Sequence, residues 1–163
     1  MNLRQDILYL LEHYNHMRAE IDTLKYELAH LGQLKDAEII EAMIFQVPTD
    51  ERVATSEISD KTTRIALNYQ EQMAQLQKDA INEITGRLAY LTATVERLDF
   101  YIGKLPALDS AILREHYFEK YSWRELQELK GISTKTLLRH RDEAVKRLVE
   151  LYEPLVRMGL LME

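Results

Sequence analysis

The stretch that decides the architecture is 109–151, DSAILREHYFEKYSWRELQELKGISTKTLLRHRDEAVKRLVEL. Trp123, Leu126 and Leu129 recur at helical spacing and predict a short helix with one apolar face. Gly131 follows, a residue free to turn at positive φ, and Ile132 is expected to tuck back as an apolar anchor. Ser133 suits the N-cap of a second helix, because its hydroxyl can accept an unpaired N–H of the first turn. On that second helix Leu137, Ala144 and Leu148 mark a buried stripe, while Thr134, Lys135, Leu138, Arg139, Arg141 and Asp142 fall mostly on the other side. A tight turn leading into a capped helix with a polar, basic outer face is what reading a DNA major groove requires. The expectation is a helix-turn-helix domain over 105–163.

Charge is distributed in a way that permits this. The whole chain carries a net charge of −6 over 163 residues. Residues 1–108 hold 11 Lys/Arg against 17 Asp/Glu, whereas residues 109–163 hold 10 of each. Within 133–147 five basic residues, Lys135, Arg139, Arg141, Lys146 and Arg147, face only Asp142 and Glu143. Affinity for phosphate depends on the local face rather than on chain-wide charge, so salt-sensitive and modest binding by a single copy is expected.

Working back toward the start, apolar residues alternate four and three apart: Leu3, Ile7, Leu10, Tyr14, Met17, Ile21, Leu24, Leu28, Leu31. That is the seam of a coiled coil, widened by Leu8, Leu11 and Tyr26. The register stutters at Gly32, and AEIIEAMIF resumes an apolar face up to Val47-Pro48. Residues 46–60, QVPTDERVATSEISD, are rich in turn and cap residues and read as a linker. A second long helix is expected over 62–102, with Ile65, Tyr69, Met73, Leu76, Ala80, Ile84, Leu88, Leu91, Val95, Leu98 and Ile102 on one side. Gly103 and Pro106 close it, and Asp109 is placed to cap the helix that follows. The expected fold is all-α: a long-helix oligomerisation region over 1–104, then the C-terminal domain. Such a narrow seam needs a partner helix, either within the chain or from a second copy. A homodimer is the favoured expectation, because one helix-turn-helix reads only a few base pairs.

Other classes of function find little footing. No stretch approaches the roughly 18–20 uninterrupted apolar residues that span a bilayer, so no membrane partner is expected. The start, MNLRQDILYLLEHY, lacks a signal-peptide pattern. The absence of cysteine excludes thiol chemistry and fits a reducing cytoplasm. His13 and His16 lie near Glu12 and Glu20, but one helix supplies two metal ligands comfortably rather than three or four. His140 is expected to be packed or partly exposed, and His30 and His116 carry no partner pattern. Five scattered glycines build no phosphate-binding loop, and no serine sits in a nucleophile elbow. Tyr117, Phe118, Tyr121 and Trp123 read as core rather than as a base-stacking platform. No catalytic residue, cofactor or metal is expected. The tail after Pro154 keeps Leu155, Met158, Leu160 and Leu161 and could cap the domain or dock on a partner.

The run HYFEKYSWRELQELKGISTKTLLRHRDEAVKRL (116–148) resembles region 4 of bacterial sigma factors. The shared features are an aromatic pair, a small polar linker, an apolar helix, and "I-S-x-x-T-L" opening a helix that contains "A-V-K-R-L". The whole plan resembles the late-gene transcription regulators of Gram-positive phages and prophages, the RinA and ArpU type. The specific likeness covers about residues 105–151. It implies Ser133 at the helix cap, with Thr134, Lys135, Leu138 and Arg139 facing the major groove and Arg141 and Thr136 near the backbone. Arg139 would fork onto a guanine edge, and Leu138 would favour a thymine methyl over the usual long polar side chain. The implied partners are double-stranded DNA and bacterial RNA polymerase, and the implied place is the nucleoid of a bacterial cytoplasm. A promoter-melting domain is lacking, so recruitment of polymerase fits better than replacement of a sigma factor. Two other classes remain open: a DNA-packaging component such as a small terminase subunit, and a helical adaptor that binds no DNA.

Overall fold

The computed structural model describes residues 2–31 and 56–161. These form α1 (Leu3–Leu31), α2 (Ser56–Ile102), α3 (Ala107–Leu113), a π-helical turn (Arg114–Phe118), α4 (Trp123–Lys130) and α5 (Thr134–Arg157). The fold is all-α, with two long N-terminal helices and no strand among the described residues. Nor is any described helix long and apolar enough to cross a membrane.

Two boundaries differ from those expected. The proposed linker 46–60 ends early, because α2 already begins at Ser56; the rest of it, Gly32 and the AEIIEAMIF run lie outside the described residues. At the other end α5 continues through Pro154 to Arg157. A proline this close to a helix end forfeits one hydrogen bond where the helix is about to stop.

The chain divides into two compact units, Met1–Glu20 with Leu91–Glu163, and Ile21–Tyr90. The first unit therefore draws the start of α1 and the end of α2 into the C-terminal domain, across the expected boundary at 104/105. Ile7 and Leu11 are fully buried there, as are Leu98 and Ile102, with Tyr14, Met17, Leu91 and Val95 nearly so. Leu11, expected only to widen the seam, is fully buried, whereas Leu10 of the seam itself is only half-buried. Contacts remote in sequence explain the shift. The Tyr14 hydroxyl donates to Asp99 Oδ2 at 2.8 Å and accepts from Arg18 at 3.3 Å, and its ring stacks on Phe118 with centroids 3.6 Å apart. Burial raises the Tyr14 phenol above its ordinary pKa, opposed by the Arg18 hydrogen bond and assisted by Asp99.

The π turn widens the backbone spiral just before the helix pair. It is closed by Glu119 N–H donating to the Arg114 carbonyl at 3.0 Å, and Lys120 leaves it in the left-handed region at φ 66°. Asn15 of α1 donates from Nδ2 to the Phe118 carbonyl at 2.8 Å, satisfying an acceptor at the end of this turn. Arg114 reaches back to Asp99 Oδ1 at 3.1 Å, so α1, α2 and the turn share one polar junction.

Candidate nucleic-acid interface

α4 starts with a reciprocal cap. Ser122 Oγ accepts from the Glu125 N–H at 3.2 Å, while Glu125 Oε2 accepts from the Ser122 N–H at 2.7 Å. That hydrogen bond holds the Glu125 carboxyl below its ordinary pKa. The helix ends at Gly131 with φ 66° and ψ 25°, the left-handed stop that a residue lacking Cβ adopts freely. Ile112, Leu126 and Leu137 are fully buried together, with Trp123 and Ile132 packed against them. This cluster fixes α3, α4 and α5 around a common centre, and each of its aliphatic side chains contributes about 1.5–3 kcal/mol by leaving water. Leu129 departs from the expected apolar face and is 65% exposed. Steps of three residues drift about 60° each around a helix, which carries Leu129 away from the side of Trp123. Lys130 occupies that inner side instead and pairs with Glu115 at 2.9 Å.

α5 opens as expected, with Ser133 as N-cap. Its Oγ accepts from the Thr136 N–H at 3.3 Å and donates to Thr136 Oγ1 at 2.9 Å. Leu137, Ala144 and Leu148 are fully buried. Two acceptor–donor sets then fix the rotation of the helix. Thr134 donates from N and Oγ1 to Gln127 Oε1 of α4, at 3.2 and 2.6 Å. Farther along, His140 Nδ1 donates to Asp109 Oδ1 at 2.7 Å and Arg147 donates to Asp109 Oδ2 at 3.3 Å. Asp109 was expected to cap α3. Pro106 holds that position instead, and Asp109, third in the helix, turns its buried carboxylate toward α5.

The seven candidate contact residues consequently divide. Lys135, Thr136, Leu138 and Arg139 line one open groove of about 610 Å³. Ser133 and Thr134 are absorbed by the turn that aims the helix. Arg141 lies off the groove: its Nε donates to Asp142 Oδ1 at 2.9 Å, and its guanidinium sits 5.8 Å from the centre of the Trp123 ring. His116 stacks on that same ring at 3.8 Å, a partner that sequence spacing had not suggested. Burial lowers the His116 pKa from 6.5, opposed by its Nδ1–H bond to the Tyr121 carbonyl at 2.7 Å, with Arg141 and Lys120 adding repulsion.

The groove also gathers residues outside the expected set. Lys146 and Glu143 follow from helical repetition, since positions 135, 139, 142, 143 and 146 share a face. Arg4 does not: it arrives from α1, 138 residues before Asp142, to which its Nη2 donates at 3.2 Å. Four cations thus meet two acids around the half-buried Leu138. Exposed Lys135 and Arg139 can reach phosphate oxygens or guanine O6/N7, and Leu138 offers apolar contact between them. Elsewhere, His13 is engaged by its own helix, donating to the Tyr9 carbonyl at 2.9 Å and stacking on the Tyr9 ring. Comparison of the chain with protein-family models, curated proteins and solved structures finds no match in any of the three.

Proposed function

We propose that this chain is a sequence-specific regulator of transcription that binds double-stranded DNA through the outer face of α5. The observation that carries the reading is the grouping of Lys135, Arg139 and Lys146 around Leu138 on an exposed helix face whose other side is locked into a core. Cations at that spacing suit phosphates and guanine edges, and an apolar residue between them suits a thymine methyl. The resemblance of 116–148 to sigma-factor region 4 extends the proposal to an activator of phage or prophage genes. Such a protein works in the bacterial cytoplasm, on the nucleoid, alongside host RNA polymerase. It needs no metal or cofactor and catalyses no reaction. Two copies act together, doubling the number of base pairs read.

Selection of bound fragments from random and host DNA by the purified full chain, repeated across salt concentrations, tests this. One recurrent site with affinity falling steeply in salt is expected. Binding without preference, in rings of many copies, would favour DNA packaging, and no binding at low salt would overturn a nucleic-acid role altogether. At the selected site Arg139→Ala should lose about 1–3 kcal/mol, with a much smaller loss on unrelated DNA. Equal losses on both would remove Arg139 from the base contacts.

A further inference from the structure

Arg4 and Arg141 both donate to one carboxylate oxygen. Arg4 Nη2 lies 3.2 Å from Asp142 Oδ1, and Arg141 Nε lies 2.9 Å from the same atom. A guanidinium has five N–H donors, so one shared oxygen leaves most of the donor capacity of both side chains unused. The Arg4–Asp142 pair is also wet, its side chains 44% and 49% exposed, and exposed pairs exchange partners readily. A phosphate diester offers a full negative charge and two acceptor oxygens at the spacing guanidinium groups prefer.

Position makes the pair more than an incidental surface contact. The start of α1 is tied to the helix-pair core by Asn15 on the Phe118 carbonyl and by Tyr14 stacked on Phe118. Arg4 is therefore carried to the groove by a helix anchored farther along. Arg141 is held from below by the face of Trp123. Arg4 lines the same groove as Lys135, Arg139 and Lys146, so a duplex laid on α5 passes beside it.

We propose that the first turn of α1 belongs to the nucleic-acid face, with Arg4 as a contact to a DNA backbone phosphate and Asp142 as the internal acid that holds Arg4 and Arg141 until phosphate replaces it. The inference rests on the reading of this groove as a DNA surface. It adds an element far away in sequence to that surface and assigns a restraining role to an acid on the recognition helix. Phosphate contacts set register and affinity without reading sequence, so the effect of Arg4 is uniform across DNA sequences.

The test measures binding of the full chain to a random-sequence DNA duplex at several salt concentrations, for wild type, Arg4→Ala, Arg4→Lys and Asp142→Asn. One lost phosphate contact lowers the slope of log affinity against log salt by about 0.9, which at about 0.1 M salt is roughly an eightfold loss. Arg4→Ala should show both changes. Arg4→Lys, which keeps a point charge, should retain most of the wild-type affinity and slope, and Asp142→Asn should bind more tightly than wild type. Wild-type binding with Arg4→Ala unchanged in affinity and slope overturns the inference alone. Weaker binding by Asp142→Asn overturns the restraining role. No wild-type binding to the duplex overturns both the DNA reading and this inference.

Discussion

Three of the described residues take the left-handed backbone conformation, Lys120 and Gly131 at φ 66° and Gly159 at φ 67°, and Lys120 is the one that is not a glycine. Gly131 stops α4, and a Cβ built there would meet nothing within 4 Å. The cost of Gly131→Ala is therefore the backbone term alone, about 1–2 kcal/mol for an L side chain held in this region. Lys120 already bears that term at the exit of the π turn. Lys120→Gly should relieve it and lose part of the gain to unfolded-chain entropy, raising stability by about 0.5–1 kcal/mol. Urea unfolding of both variants checks the pair. A loss in Lys120→Gly would mean its side chain contributes more than the backbone costs.

Elements in the C-terminal part are aimed by polar contacts across helices as much as by their apolar stripe. Asp109, 3% exposed, is the acid on α3 that accepts from both His140 and Arg147 of α5. Removing a buried acceptor strands its donors, though His140 and Arg147 are 26% and 47% exposed and can recover water. Asp109→Asn should therefore cost about 1–3 kcal/mol, less than a fully buried pair would lose. On the proposed function, DNA affinity of this variant should fall beyond what the unfolded fraction explains, because the rotation of α5 is loosened. Affinity unchanged after correction for folding would show that the Thr134–Gln127 contacts suffice to aim the helix. The turn itself was legible in the sequence: Gly131, Ser133 and the Leu137, Ala144, Leu148 spacing act within about three helical turns. The Asp109 pairing was not, since a carboxylate at the third position of a helix looks like a cap until its true partners, 31 and 38 residues on, are placed.

For the molecule as a whole, stability should respond to pH through His116. Its folded pKa lies below 6.5, so the unfolded chain takes up a proton first as pH falls. Stability from the neutral ring is complete above about 6.5 and is lost as pH drops from there through the folded pKa. His116→Phe keeps a ring against Trp123 without titrating, and should flatten the fall in unfolding free energy as pH drops below about 6.5. An equally steep fall in that variant would assign the effect elsewhere. Oligomeric state is the second property at this scale. Ile7, Leu11, Tyr14 and Met17 are buried by their own chain, so this part of the α1 seam is not left for a partner. Exposed apolar residues on α2, Ile65 at 62% and Leu76 at 63% with Tyr69 between them, follow the spacing of a seam and suit the proposed second copy. Leu76→Asp should convert a dimer to a monomer by light scattering while leaving the unfolding midpoint of the C-terminal domain in place. A dimer that survives it is held together elsewhere.

Helical content, the position of the turn, the caps at Gly131 and Ser133 and the inner face of α5 were determined by the sequence itself. Each depends on residues within a few positions of one another, where backbone geometry and periodicity leave little choice. Tertiary structure alone decided that Leu11 rather than Leu10 goes fully inside, that Leu129 faces water, that Asp109 serves α5, and that Arg4 lies against Asp142. Those outcomes depend on which surfaces meet after the chain folds back on itself. A side chain's spacing says which face of its helix it is on, but only the neighbour that covers that face says whether it is buried and what charge it finds there.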